Sequence, residues 1–211
     1  MPQPSIKLPV ITERNKAVMI GLAYLLFCLL YLGAPQLALR SPTPVPMLAL
    51  DELIPHMPLA IWVYLSQFGL LFCAIWFAPD SISRSSALYS MLLASFIAAL
   101  IFVGFPTILE RPPIRSDGLT AVLWQGLYLA DVSGNCFPSL HAALAALAVF
   151  PLYRRAGRWR LIAPLWAGVI ILAALATKQH VVLDILAGLI IAVPSRMLAV
   201  RYFEGREYEP A

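Results

Sequence analysis

Leu161-Ile-Ala-Pro-Leu-Trp-Ala-Gly-Val-Ile-Ile-Leu-Ala-Ala-Leu-Ala176, then the polar break Thr177-Lys-Gln-His180, then Val181-Val-Leu-Asp-Ile-Leu-Ala-Gly-Leu-Ile-Ile-Ala-Val-Pro-Ser-Arg-Met-Leu198, decides the fold class. Two apolar runs of near-spanning length flank a short polar turn. A transmembrane helix needs about 20 apolar residues, and only a helix satisfies every backbone N–H and C=O within its own segment. Four more such runs lie upstream: Ala17 to Gly33, Met57 to Ala78, Ala87 to Phe105 and Ser139 to Tyr153. The expectation is an all-α, polytopic membrane bundle of about six transmembrane helices, forming one membrane domain over 1–211. Three of the runs are short for a span, so their ends extend into the polar flanks or the bilayer thins around them.

Composition agrees with a membrane chain. Of 211 residues, 61% are hydrophobic and 12% charged, against about a quarter charged in soluble domains. The formal charge of +4 is spread over the ends of apolar runs and not gathered on one amphipathic face, which argues against nucleic acid as a partner. These basic residues read as topology signals and contacts to membrane lipids. Cys28, Cys73 and Cys136 lie far apart without metal-ligand spacing. The two inside apolar runs read as buried thiols, and no structural zinc is expected. The first run follows Lys7, Arg14 and Lys16 as a signal peptide would, but no clear small-x-small cleavage site follows, so it is read as a mature span.

Cytoplasmic loops carry the excess of Lys and Arg. Along a six-helix path, one side collects Lys7, Arg14, Lys16, Arg84, Arg154, Arg155, Arg158, Arg160, Arg196, Arg201 and Arg206, and the other only Arg40, Arg111, Arg115 and Lys178. Both termini are therefore expected in the cytoplasm. The outward segments include a Pro-rich loop, Ser41 to Pro46, and a long connection from Pro106 to Pro138. Within it, Gly118 to Ala130 places Trp124 and Tyr128 one helical turn apart. That fits a short interfacial helix and, equally, an aromatic anchor at the headgroup level.

Three polar segments fall on this outer side: Phe105 to Pro112, Gly134 to His141 and Thr177 to Asp184. Ionisable groups at the edge of a membrane are costly to desolvate, so such a cluster points to function. On a helix His180 and Asp184 would share a face. The carboxylate would hold one imidazole nitrogen and leave the other free to attack an electrophile; a purely structural pair fits the spacing as well. Pro138 and Ser139 suit a helix start whose free N–H groups bind phosphate, with His141 as a general acid, although an N-cap serine beside an interfacial histidine reads the same way. Arg111, before two prolines, and Lys178 supply cations that suit an anionic ligand or simply snorkel to the surface. Together the set is what phosphoryl transfer needs. His56 is a weaker candidate for lining a headgroup pocket, Asp117 and Asp131 read as loop residues, and no Asp/Glu cluster suited to a cation occurs in these segments, so metal-independent chemistry without a cofactor is expected.

Pro138-Ser-Leu-His141 and His180-x-x-x-Asp184 resemble the second and third signature motifs of the type 2 phosphatidic acid phosphatase (PAP2) superfamily, and Arg111-Pro112 resembles the end of the first. The likeness covers a core of roughly 88–198. It implies that His180 is the nucleophile that becomes a phosphohistidine, Asp184 its orienting partner and His141 the general acid. It implies also that Arg111 and Ser139 bind phosphate oxygens. Two cations of the family pattern are absent: Gly104 stands where the first motif usually has lysine, and Ala174 where the third usually has arginine. Lys178 replaces one of them only if the backbone turns it inward. Leu140 also departs from the usual glycine.

The motif form Phe-Pro-Ser-Leu-His is similar to that of inositol phosphorylceramide synthases, which exchange lipid head groups. The expected function is an integral membrane lipid phosphatase or phosphotransferase acting on a lipid phosphate at the extracytoplasmic face. A head-group transferase, or a non-enzymatic degenerate member that binds or moves anionic lipids, are the alternatives. The compact size suggests a bacterial inner membrane.

Overall fold

The computed structural model describes residues 7–131 and 134–204; Arg206, assigned above to the inner side, lies outside them. The described residues are all-α apart from two parallel two-residue strands, β1 (Thr43–Pro44) and β2 (Thr107–Ile108). Its helices are α1 (Lys16–Gly33), α2 (Ala49–Leu53), α3 (Ile61–Leu65), α4 (Gln67–Trp76), α5 (Ser81–Gly104), α6 (Gly118–Ala130), α7 (Leu140–Arg154), α8 (Trp159–Ala176) and α9 (Val182–Glu204). Among the described residues, five helical segments are long and apolar enough to cross a membrane: Lys16–Leu37, Pro58–Trp76, Ser81–Gly104, Trp159–Ala176 and Val182–Glu204. A helical membrane bundle is the result.

The expected span from Ser139 to Tyr153 forms as α7, but its 15 residues give only about 22 Å of helix, short of the roughly 30 Å hydrocarbon core. It is the central helix, packed against α4, α5, α8 and α9, so most of its length meets protein while Tyr153 and Arg154 at its end are exposed. Its buried face is alanine-rich, with Ala142, Ala143, Ala145 and Ala148. Alanines on α5 (Ala94, Ala98) and α8 (Ala163, Ala167) face the same core; small side chains of this kind let helix backbones approach closely in a membrane. One close approach is at Gly188 of α9, where an added Cβ would stand 2.2 Å from the Ser139 carbonyl oxygen.

Met57 to Ala78, read as one run, is divided: a 3-10 turn at Pro58–Ala60, then α3 and α4 meeting at Ser66. The Ser66 N–H is shared between the carbonyls of Trp62 and Val63, and its hydroxyl bonds the Val63 carbonyl while accepting from Trp166 Nε1. α5 starts earlier than its apolar run because Asp80 caps it, accepting from the Ser83 N–H at 2.7 Å.

Two readings of single residues are corrected. Arg84, taken as a surface topology signal, is 2% exposed. Its guanidinium donates to the carbonyls of Ile75, Ile11 and Ala78 and pairs with Glu13, so it ties the segment before α1 to the α4–α5 turn. Cys28 and Cys73, read as buried thiols, are only half-buried, and Cys136 is the buried cysteine. An apolar run marks a face toward lipid as readily as one toward protein.

The last turns of α1 and α5, the start of α7 and the α8–α9 turn converge at one end of the bundle. Leu39 donates to Val103, Asn135 Nδ2 to Tyr31, and Ser139 to Asp184, each at a backbone carbonyl. The three polar segments singled out in the sequence are therefore neighbours.

Candidate active site

α8 ends at Ala176, and the chain reverses through Lys178, whose φ of 55° is left-handed. The Ala174 carbonyl accepts from the N–H groups of both Gln179 and His180. This compact turn places His180 just before α9, not on it, so the shared helical face expected for His180 and Asp184 is not how they meet. Asp184 sits in the first turn and reaches back: Oδ1 accepts from the Val181 N–H at 2.8 Å, and Oδ2 lies 3.0 Å from His180 Nδ1. Asp184 is wholly buried. It caps the helix start and fixes the imidazole with one carboxylate, leaving Nε2 as the ring nitrogen without a carboxylate partner.

Asp51 of α2 supports this turn from the loop side. Its Oδ1 accepts from the Val182 N–H at 2.8 Å, its Oδ2 from the Leu48 N–H, and its carbonyl from Lys178 Nζ at 2.7 Å. Lys178 thus faces the site end with its ammonium tied to a backbone oxygen.

Ser139 caps α7, accepting at Oγ from the Ala142 N–H at 3.2 Å, and is fully buried. Two residues on, the His141 ring lies 5.5 Å from the His180 ring, centroid to centroid, tilted by 51°. On its other side it stacks on Tyr64 of α3 at 4.0 Å and 17°, with the Tyr64 hydroxyl 3.3 Å from His141 Nδ1. His141 Nε2 is buried and has no hydrogen-bond partner among the described residues.

Arg111 pairs with Asp131 at 2.8 Å and lies over the Tyr128 ring at 5.0 Å. Asp131, read from sequence as a loop residue, follows the last turn of α6 and also accepts from the Tyr31 hydroxyl. α6 forms over the expected residues, but Trp124 is buried and donates to the Pro58 carbonyl at 3.0 Å. It packs inside the protein, so it is no headgroup anchor. Asp117 is the N-cap residue of α6, without a side-chain cap bond.

A small cavity opens here, lined by Tyr31, Leu109, Arg111, Asp131, Asn135, Cys136, Lys178, Gln179 and His180. It joins His180, Arg111 and Lys178 from different segments, while Ser139 and Asp184 stand behind it. Burial pushes the Cys136 thiol up to about 12, so it stays protonated. His56 is half-buried with its ring edge toward Trp124; burial, then the charges of Lys178 and Arg115, lowers its pKa.

A family model described as the PAP2 superfamily matches residues 84–208. The chain belongs to the PAP2 superfamily. No curated protein matches it. Members of this superfamily are generally phosphatases or phosphotransferases. Tyr31, Asp51 and Tyr64 lie before the matched residues, and no local motif marks them, since a tyrosine in an apolar run resembles any interfacial aromatic.

Proposed function

We propose that this PAP2 protein is an integral membrane lipid phosphatase or phosphotransferase that works through a phosphohistidine on His180. The observation that carries the reading is the pairing of two imidazoles with distinct surroundings. His180 is held by Asp184 at Nδ1, and His141, 5.5 Å away between ring centroids, keeps a buried nitrogen without a hydrogen-bond partner among the described residues.

In the first step His180 Nε2 attacks phosphorus. The N–P bond forms as the P–O bond to the leaving group breaks, and His141 gives its Nε2 proton to the departing oxygen. Asp184 stabilises the charge that grows on the His180 ring. Arg111 and Lys178 offset the charge on the phosphoryl oxygens, and Ser139 fixes the start of α7 while its own hydroxyl proton remains available. In the second step water or an alcohol attacks the phosphohistidine, His141 takes its proton, and His180 is regenerated.

On this reading the site faces the extracytoplasmic side, because the far end of the bundle carries Arg154, Arg155, Arg158 and Arg160 together with the start of α1 and the end of α9. A bacterial inner membrane fits, and the chemistry runs without a metal. The motif form keeps head-group exchange of the inositol phosphorylceramide synthase type open as the second step.

The test is incubation of purified protein with ³²P-labelled lipid phosphates in chelator, followed by acid and alkaline treatment. Acid-labile, alkali-stable label in the wild type and none in His180→Ala is expected. Turnover by His180→Ala at the wild-type rate would discard the mechanism, and lipid binding without label or turnover would favour the non-enzymatic member.

A further inference from the structure

Among the described residues, the charges that line the cavity are Arg111 and Lys178 against Asp131, and the Asp184 carboxylate lies 3.0 Å from Nδ1 of the lining His180, so two cations stand against two carboxylates. Asp131 is no bystander in that count. It is half-buried, bonded to Arg111 at 2.8 Å and approached by the Tyr31 hydroxyl, and so is held inside the site by two partners. Lys178 is committed to the Asp51 carbonyl. A second acceptor adjoins: the Asn135 amide donates Nδ2 to the Tyr31 carbonyl at 2.5 Å, which turns Oδ1 away from it, and Oδ1 is buried with no partner among the described residues. Carboxylate and amide oxygens repel phosphoryl oxygens and accept from hydroxyl groups. In a small cavity inside the protein each uncompensated charge weighs more heavily than in bulk water.

Resting on the phosphoryl-transfer reading above, we infer that this cavity selects a phosphate group with one negative charge, a lipid phosphodiester, over the dianion of a monoester, and that Asp131 is the specificity-determining residue. With a phosphodiester, His180 Nε2 bonds to phosphorus as the P–O bond to the lipid alcohol breaks, and that oxygen receives the His141 proton. Water then releases the remaining monoester and restores His180. The unpartnered Asn135 oxygen and Asp131 accept from hydroxyl groups on the retained substituent.

The experiment uses two lipids with the same tails and leaving group, dioleoyl phosphatidic acid and dioleoyl phosphatidylglycerol, and reads diacylglycerol release by the full chain in detergent. Wild type is expected to show the higher kcat/KM on the diester. Asp131→Asn is expected to move the ratio toward the monoester by about tenfold or more, and Asp131→Glu to keep the wild-type order. A second readout is independent of any variant: dimethyl phosphate should inhibit wild type more strongly than inorganic phosphate. Wild-type preference for the monoester, stronger inhibition by inorganic phosphate, or an unchanged ratio in folded Asp131→Asn overturns the inference and leaves the phosphohistidine reading standing. No diacylglycerol from either lipid and no label on His180 would remove both.

Discussion

Tyr64 lies flat against His141, with ring centroids 4.0 Å apart and its hydroxyl 3.3 Å from Nδ1. When His141 is protonated, its Nδ1–H donates to the Tyr64 hydroxyl and its Nε2–H is the proton a leaving oxygen collects, so the ring ends neutral. Tyr64→Phe keeps the stacked ring and removes that acceptor. The expected result is a loss in kcat of about tenfold for a lipid alcohol leaving group. With an aryl phosphate, whose leaving group needs no proton, the loss should vanish. Equal losses on both substrates would mean that Tyr64 only packs.

Gly188 meets the Ser139 carbonyl across the α7–α9 contact, where a Cβ would fall 2.2 Å from the oxygen. The obstacle is backbone, and the Ser139 N–H is itself bonded to the Asp184 carbonyl at 2.9 Å. A shift of α7 carries His141 with it, and a shift of α9 carries Asp184, which holds His180. Gly188→Ala should therefore lower stability by about 1–3 kcal/mol and reduce activity more than its unfolded fraction explains. Thermal melts and turnover on the folded fraction check both parts. A variant with the wild-type melting temperature would show that the contact gives way freely.

Much of this was legible from sequence because apolar period and polar breaks report the two ends of each helix, and the three polar segments do meet at one end. His180 and Asp184 were legible as a pair, but not the manner of pairing, since the break that places His180 before α9 comes from the Ala174 carbonyl and the left-handed Lys178. Asp131 and Tyr64 were not legible as site residues. Each gains its place from a partner far along the chain, Arg111 for one and His141 for the other, and neither carries a local signal of that partner. Arg84 shows the converse: its position at a helix end imitates a topology signal, while its burial follows from carbonyls left open at the α4–α5 turn.

Arg84 donates to three backbone carbonyls and to Glu13 from a site that is 2% exposed. Glu13 is largely exposed, so the carbonyls matter more than the ion pair. Arg84→Ala leaves those oxygens buried without donors, for a loss of about 3 kcal/mol and a melting temperature lower by about 6 °C or more. Glu13→Gln should change little. Because the cluster lies at the far end of the bundle from His180, the folded fraction of Arg84→Ala should keep wild-type KM. A raised KM would show that the two ends are coupled.

Cys136 is the buried thiol next to Arg111 and His180 in the cavity wall, and burial pushes it up to about 12, against about 8.5 for a thiol in the unfolded chain. The neutral form is therefore favoured by the fold. The resulting stability is complete below the unfolded value and is lost as pH rises from there toward the folded one. At pH 8 the native thiol carries almost no thiolate, so iodoacetamide should label Cys136 only after denaturation, and alkaline melts should lose stability above about pH 9. Cys136→Ser leaves the packing nearly intact and should flatten part of that alkaline loss. Rapid native labelling of Cys136 at pH 8 would show that the cavity opens to solvent far more often than its closed wall implies.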